Sequence, residues 1–574
     1  MPLETIWKID RKNPLPCYPR PQFKRQSFYS LNGVWQYAIT QSQNTPVQYD
    51  GEICVPFSPE SPLSGVCKTL LPKEYLHYKR SFTLPTDFKL SRTLLHFGAV
   101  DHSCACFVNG KEAGRHEGGY LPFTFDISAF VKKGENEITL TVSDPSDGNG
   151  AQTGKQRLKR GGIWYTAQSG IWQTVWLENV AQNYIEKLYI TPDFDNSRVN
   201  VKVVSAGELK NLSAEVSFNG QLIARNDFDG LESDIEIKDF KAWSPQAPNL
   251  YDLTITCQSD KIESYFAMRK ISLEEIDGVK RACLNNQPYF FNGLLDQGYW
   301  PDGLYTAPTD EALRYDIEKM KELGFNTLRK HIKVEPLRWY YHCDKIGMLV
   351  WQDMVSGGFD YDPFVIAYKP FLGKTIKDYK YKTFARKTEA SREAFIDEYK
   401  QMLDLLYNCP CIAVWVPFNE GWGQFDANAV AAYTKMFDET RLVDHASGWH
   451  DQGGGDFASR HIYFKTPRLS PDKQQRALAL TEFGGYGLKE EGHVFNEKKT
   501  FGYKNFKSGQ ELTKAYEKLY KKIIPQLRKG LCAVIYTQVS DVEDEINGLI
   551  TYDRQVLKVE QETLKRINAQ LKYD

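Results

Sequence analysis

Two glutamates stand where an enzyme would want them. Glu420 closes the apolar run IAVWVPFNE and is followed by Gly421-Trp422-Gly423, and Glu482 closes ALALTE and is followed by Phe483-Gly484-Gly485. Charged residues are rarely buried without partners, so two carboxylates placed directly after apolar runs suggest a paired acid and nucleophile. Carboxyl groups about 5–5.5 Å apart can cut a glycosidic bond with retention, one protonating the leaving oxygen while the other attacks the anomeric carbon. At roughly 6.5–9.5 Å they would leave room for a water, and inversion would follow. One of the pair must stay protonated while the other ionises, and their surroundings have to set that difference. Arg329, after FNTL, is a candidate cation to hold a carboxylate ionised. The competing role for either glutamate is structural, pairing with an arginine to hold loops together.

Those residues need a scaffold that presents strand ends side by side. After Ile276 the chain alternates strand and helix, with eight apolar strand candidates: QPYFFNG, FNTLRKH, MLVWQDM, IAVWVPFNE, LVDHASG, RHIYF, LALTEFGG and CAVIYTQ. Eight strands with helical crossovers over about 300 residues predict a (β/α)8 TIM barrel, whose active site lies at the C-terminal ends of the strands. Between the first two strands, TDEALRYDIEKMKELG predicts a helix capped by Thr309, with Asp310 and Glu311 in its first turn and Leu313, Ile317 and Met320 on one face.

The first half of the chain has a different texture. From Ser27 to about Val180 short β-rich runs such as VWQYAI, TLLHFGAV, CACFVNG and EITLTVSD alternate with turn residues, and Asn109-Gly110 marks a two-residue hairpin. Residues 181–275 repeat the pattern with about seven short strands, as an immunoglobulin-like β-sandwich would. The expected order is therefore a β-sandwich over 1–180, an immunoglobulin-like sandwich over 181–275 and the barrel over 276–574.

Composition fits this multidomain reading. The 574 residues carry 72 Lys+Arg against 73 Asp+Glu, and the absence of a basic excess excludes a nucleic-acid partner. Aromatics reach 13%, which suits either thick β cores or sugar-binding walls. The 11 cysteines are odd in number and scattered, which predicts free, mostly buried thiols. The N-terminus lacks an apolar signal core, and no stretch is long enough to span a membrane. A cytoplasmic location follows for the chain as given, with a periplasmic or secreted one if a signal peptide has been removed. His445, His450 and His461 cluster around Asp451 and Asp456 without regular ligand spacing, so neither a metal nor another cofactor is expected.

Together these strings resemble glycoside hydrolase family 2, the family of β-galactosidase and β-glucuronidase. LNGVW at Leu31–Trp35, FGAVD at Phe97–Asp101, FVNGKEAGRHEGGYLPF at Phe107–Phe123 and GIWYTAQSGIWQTVWLE at Gly162–Glu178 resemble the family's jelly-roll sugar-binding domain, and the sandwich and barrel follow in the family's order. The resemblance implies Glu420 as general acid/base, Asn419 as donor to the sugar 2-hydroxyl and Glu482, in TEFGG, as nucleophile. It places Arg329 beside the nucleophile, His331 at the substrate and Tyr463, in RHIYF, against the nucleophile.

The chain also departs from better-known relatives. After the first strand it reads NGLLDQGYWPDGLY where β-galactosidases carry a histidine-rich stretch, which makes Asp296, Gln297, Trp300 and Asp302 candidate contacts. In the strand-eight segment Tyr536 replaces a tryptophan, and Gln538 is a further candidate contact. The loop before Gly548 lacks the Asn-x-Lys element by which β-glucuronidases hold a uronic carboxylate. Trp449 could form an aromatic wall for a sugar or cap the barrel. The resemblance thus implies a retaining exo-glycosidase acting on a neutral terminal sugar, with a β-galactoside first. An α-L-arabinofuranoside, β-glucuronide or β-mannoside on the same mechanism, or a catalytically inactive carbohydrate-binding protein, are the alternatives. The expected partner is a carbohydrate substrate, with homo-oligomerisation left open.

Overall fold

The computed structural model describes residues 3–573. Its C-terminal half is an eight-stranded parallel barrel: β1 (Phe291–Asp296), β2 (Thr327–Lys330), β3 (Leu349–Asp353), β4 (Ile412–Val416), β5 (Leu442–Val443), β6 (Phe457–Ile462), β7 (Ala477–Gly484) and β8 (Leu531–Thr537). The ladder runs β5-β4-β3-β2-β1-β8-β7-β6, leaving one seam between β5 and β6, so the barrel is nearly closed. All eight sequence candidates fall on these strands.

The helix α1 (Asp310–Glu322) starts as its sequence demands, with Thr309 accepting from the Ala312 N–H. Leu313, Ile317 and Met320 are buried, which fixes the helix against β1 and β2. Next come α2 (Leu337–Ile346), α3 (Glu389–Leu406), α4 (Ala427–Phe437), α5 (Gly509–Ile523) and α6 (Gln561–Asn568). The expected strand and helix alternation fails at two crossovers, β5 to β6 and β6 to β7, which contain no helix. The reason is local: the first holds Gly453, Gly454 and Gly455, and the second holds Pro467 and Pro471, residues that penalise a helix interior.

An antiparallel hairpin, Ile271–Ile276 with Val279–Leu284, closes the barrel floor. Its Ile271, Ala282 and Leu284 pack with the inward-facing Phe291, Trp351, Val414 and Ala479. The interior of the floor is thus filled with apolar side chains.

The N-terminal part packs a six-stranded antiparallel sheet on a four-stranded one. Trp35, Tyr78, Leu95, Phe97, Leu140 and Leu177 lie in the core between them. Asn109 and Gly110 adopt φ 50° and 77°, the left-handed pair that a two-residue hairpin requires, and join Ser103–Val108 to Lys111–Glu117. A three-stranded and a four-stranded sheet follow, sharing a core of Ile185, Val201, Val216, Leu253 and Ile262. All 11 cysteines are free and 9 are buried. No helix among the described residues is long and apolar enough to cross a membrane.

One segment of the first sandwich leaves its own domain. Residues 146–168 run to the barrel mouth, where Gln152 bridges to Gly357, the Gly154 N–H donates to Ser356 O at 2.9 Å, and Tyr165 donates to Glu545.

Candidate active site

Adjacent residues of a strand face opposite sides, so β2 sends Arg329 inward and Lys330 outward. Arg329 is fully buried and organises the site. Its Nε and Nη2 donate to the two Asp353 carboxylate oxygens at 2.9 and 3.0 Å, a forked pairing from β3. Nη2 also donates to Asn419 Oδ1 at 2.9 Å, and Nη1 donates to Glu482 Oε1 at 3.1 Å. One guanidinium therefore ties together residues from β2, β3, β7 and the segment after β4. Burial opposes its charge, but Asp353 and Glu482 outweigh burial and keep it protonated.

Glu420 lies four residues beyond β4, in the left-handed region at φ 52°, a conformation unfavourable for a residue with a β-carbon. Its N–H is held by Ser447 O at 3.0 Å. Glu420 Oε1 shares a 2.7 Å hydrogen bond with His461 Nδ1, which is 3.6 Å from Glu482 Oε2. Donor atoms of Glu420, His461 and Glu482 all lie within 4.8 Å of one another.

Burial pushes the Glu420 carboxyl up to about 8, with Lys155 and Arg329 only partly offsetting it. Glu482 is also raised by burial and by Glu420, but His461, Arg329 and the Tyr463 hydroxyl all pull it down. The two carboxyls thus differ in what surrounds them: Glu482 accepts from a cation and a phenol, and Glu420 shares only a histidine. Burial lowers His461 to about 4, so the ring is neutral near pH 7. Burial and then the Glu482 charge hold the Tyr463 proton on, leaving the hydroxyl a donor to Glu482 Oε2. The Tyr463 ring stacks on Tyr503 at 3.7 Å, which fixes its angle.

His331 shares a 2.8 Å hydrogen bond with Asp353 Oδ2 through Nδ1. Burial and then the Lys155 charge drive its pKa far below the usual value, so the ring is neutral. Asn419 Nδ2 is buried with no partner among the described residues, leaving two N–H groups for a ligand hydroxyl. A trio of two carboxylates and a histidine could coordinate a cation, but the Arg329 guanidinium already occupies one side of Glu482.

The structure therefore brings Glu420, Glu482, Asn419, Arg329, His331 and Tyr463 into one connected cluster. Trp449 is half-buried beside it, its ring centroid 6.1 Å from that of His461. Gln538 is buried after β8 and donates to Asn547 Oδ1 at 2.7 Å, and its own Oε1 has no partner among the described residues.

The residues after β1 go elsewhere. Asp296 accepts from the outward-facing Lys330 at 2.8 Å, in a buried cluster with Glu335, because it meets β2 on the face away from Arg329. Trp300 lies under the Arg554 guanidinium at 4.0 Å and against Trp7, so it is part of the core. Asp302 is held by the backbone and hydroxyl of Thr5. Gln297 is buried, its Nε2 unpartnered among the described residues.

Several members of the cluster were not singled out from sequence. Asp353 ends the run MLVWQD and could have been found as another polar residue at a strand end. His461 was read only as one of three clustered histidines. Tyr503 stacks on Tyr463 from the loop before α5. Trp422 packs against Trp164 of the first sandwich at 5.0 Å, and Lys155 enters from that sandwich too.

Comparison with known proteins agrees with this architecture. The family model described as glycosyl hydrolases family 2, sugar binding domain, matches residues 65–180, a central family 2 model matches 183–269, and the family 2 TIM barrel model matches 277–479. Among curated relatives, a β-galactosidase of Vibrio vulnificus (strain YJ016) is 24% identical over 473 residues, covering 73% of this chain and 42% of that protein. A putative β-glucuronidase of Formosa agariphila is 26% identical over 390 residues, covering 65% and 34%. The chain thus spans between a third and a half of the length of these relatives. Among solved structures, a β-glucuronidase from an uncultured Clostridium sp. superposes with a TM-score of 0.76 at 19% identity, covering 96% of this chain and 99% of that one. A Ruminococcus gnavus β-glucuronidase in complex with uronic isofagomine gives 0.76 at 18%, covering 97% and 99%. With three successive models matched in their family order along one chain, this protein belongs to glycoside hydrolase family 2.

Proposed function

We propose that the chain is a retaining exo-glycosidase. Glu482 attacks the anomeric carbon while the glycosidic C–O bond breaks and Glu420 gives its proton to the departing oxygen. A glycosyl ester on Glu482 results. Glu420, now ionised, takes a proton from water, the water oxygen attacks the same carbon, and the sugar leaves with its original configuration. The observation that carries this reading is the approach of one oxygen of each carboxyl to within 4.8 Å of the other around His461, with Arg329 and Tyr463 donating to Glu482 and not to Glu420.

The supporting residues fit the same chemistry. Asn419 Nδ2, without a partner among the described residues, is available to the sugar 2-hydroxyl. Arg329 holds Glu482 ionised before attack and stabilises it as a leaving carboxylate in the second step. Tyr463 orients the Glu482 oxygen distant from Arg329.

The pH dependence follows. Rate requires Glu482 ionised and Glu420 protonated, so kcat/KM should be bell-shaped, its alkaline limb near pH 8 from Glu420 and its acid limb above the usual glutamate range. Glu420→Gln should abolish the alkaline limb and spare substrates with a good leaving group, such as 2,4-dinitrophenolate, most. A limb that persists unchanged in this variant would assign the acid elsewhere.

For the glycone, a β-galactoside is the first reading, supported by relatives named β-galactosidase and by the missing Asn-x-Lys element. A β-glucuronide is the second, favoured by one buried cation, Lys155, that faces the cluster. Initial rates on 4-nitrophenyl β-galactoside, β-glucoside, β-glucuronide, β-mannoside and α-L-arabinofuranoside, with Glu482→Gln alongside, test both mechanism and glycone. Cleavage of one glycoside that the variant cannot cleave supports the reading. A folded protein that cleaves none of these would favour the binding-only alternative.

A further inference from the structure

The first sandwich sends a charged side chain into the barrel mouth that has no ion-pair partner among the described residues. Lys155 is only 5% exposed. The chain on either side of it is pinned: the Gly154 N–H donates to Ser356 O at 2.9 Å, the Gln156 amide donates to Asp101 at 3.0 Å and Tyr120 at 2.8 Å, and Lys155 O accepts from the Tyr165 N–H at 2.9 Å. Gly154 is pressed onto the end of β2, where an added β-carbon would stand 3.2 Å from Ile332 O, the residue after His331. The Lys155 ammonium lies 5.4 Å from the Tyr165 ring centroid and 5.9 Å from that of Trp422. It makes no hydrogen bond and no ion pair among the described residues.

A lysine this little exposed, with aromatic rings and, among the described residues, no carboxylate beside its ammonium, is placed to meet an opposite charge supplied by a ligand. The acids nearby are already committed. Asp541 pairs with Lys558 at 2.6 Å, Asp544 with Arg160 at 3.1 Å, Glu543 accepts from the Thr166 N–H at 2.9 Å, and Glu545 accepts from Asn547 at 2.8 Å as well as from Tyr165. Glu420, which burial keeps protonated near neutral pH, has no charge to offer. Of the charged groups, Lys155 is also the one that acts most strongly on His331, which belongs to the same cluster as Glu420 and Glu482.

We propose that Lys155 is a specificity-determining residue that donates to an anionic substituent of the terminal sugar, a uronic carboxylate or a sulfate ester. The proposal rests on the hydrolase reading above and selects within it an anionic glycone in place of the neutral β-galactoside. The cation comes from the first sandwich because, around the loop after β8, Lys558 and Arg160 are already committed to Asp541 and Asp544. The recognition of the sugar is then divided between domains, with the barrel supplying Asn419 and His331 to hydroxyls and the sandwich supplying the charge.

The test measures kcat/KM on 4-nitrophenyl β-glucuronide, β-galactoside 6-sulfate, β-galactoside and β-glucoside for the full-length wild type, Lys155→Met and Lys155→Arg. The wild type should favour one of the two anionic substrates over its neutral counterpart, and which one it favours tells carboxylate from sulfate. Lys155→Met should collapse that preference by about 100-fold or more, and Lys155→Arg should retain most of it. A wild type that prefers a neutral sugar, or a Lys155→Met variant that slows all four substrates equally, overturns the assignment and leaves the hydrolase reading standing. If no substrate turns over, the hydrolase reading fails on this panel, and binding of methyl β-glucuronide against methyl β-galactoside to wild type and Lys155→Met, by calorimetry, still decides. No charge preference, or one that survives Lys155→Met, overturns the proposal.

Discussion

Glu482→Gln should lower hydrolysis of every glycoside the protein cleaves by about 10⁴-fold or more, without a loss of folded protein. The amide keeps the shape and can still meet Arg329 and Tyr463, but it has no lone pair with carboxylate basicity to attack the anomeric carbon. The smaller Glu482→Ala variant gives a more specific expectation. It leaves a gap on the face from which Glu482 would attack, so added azide should restore cleavage and yield the glycosyl azide of inverted configuration. Glu420→Ala with azide should give the opposite anomer, because the anion then enters on the acid/base side after the glycosyl ester has formed. Identical anomers from the two variants would mean that the roles are wrongly divided.

Arg329 carries the second large effect, because its guanidinium donates to Glu482 while also holding Asp353 and Asn419 in place. Arg329→Lys keeps a positive charge near Glu482 but cannot make the forked pairing with Asp353 and still reach Asn419. We expect kcat to fall about 10³-fold, with the thermal midpoint lowered by a few degrees. Arg329→Met removes the charge altogether, leaves Asp353 buried with only the neutral His331 ring as a side-chain partner, and should destabilise by about 3–5 kcal/mol. Measuring kcat, KM and thermal unfolding together separates the two effects. A Lys variant with wild-type kcat would show that Glu482 needs only a nearby charge rather than this network.

The barrel was legible because its strands are short apolar runs ended by polar residues, and Thr309 and the Leu313, Ile317, Met320 stripe mark a helix unambiguously. Glu420, Glu482 and Arg329 are visible for the same reason: each directly follows an apolar run. Asp296 shows the limit of that rule. It also ends a strand, but the strand's alternation carries it to the outward Lys330, and position along a strand does not by itself tell inward from outward. Trp300 failed similarly, as an aromatic in a loop at the mouth that turns into the core beneath Arg554. The two helix-free crossovers were written in Gly453 to Gly455 and in Pro467 and Pro471, but a regular strand and helix rhythm hides local breakers. Lys155 could not be found from spacing at all. It is brought to Glu420 by the packing of one domain on another, across 420 − 155 = 265 residues of chain.

The shape of the first sandwich has a functional consequence in this light. Segment 146–168 supplies Lys155, the Trp164 ring against Trp422, and Arg160 to Asp544, so the mouth is built from two domains. Its Gln152, Gly154 and Tyr165 anchors on Gly357, Ser356 and Glu545 fix the sandwich loop to the barrel loops after β3 and β8.

The central claim is that the sugar is passed through a covalent bond to Glu482. Incubating the protein with a 2-deoxy-2-fluoro glycosyl fluoride of the preferred sugar slows both steps and lets the intermediate accumulate, and peptide mass mapping then locates the added sugar. The mass increment is expected on the peptide containing Glu482, once per chain and absent from Glu482→Gln. An increment on Glu420 or any other residue, or turnover that releases the inverted anomer with no adduct, would contradict it.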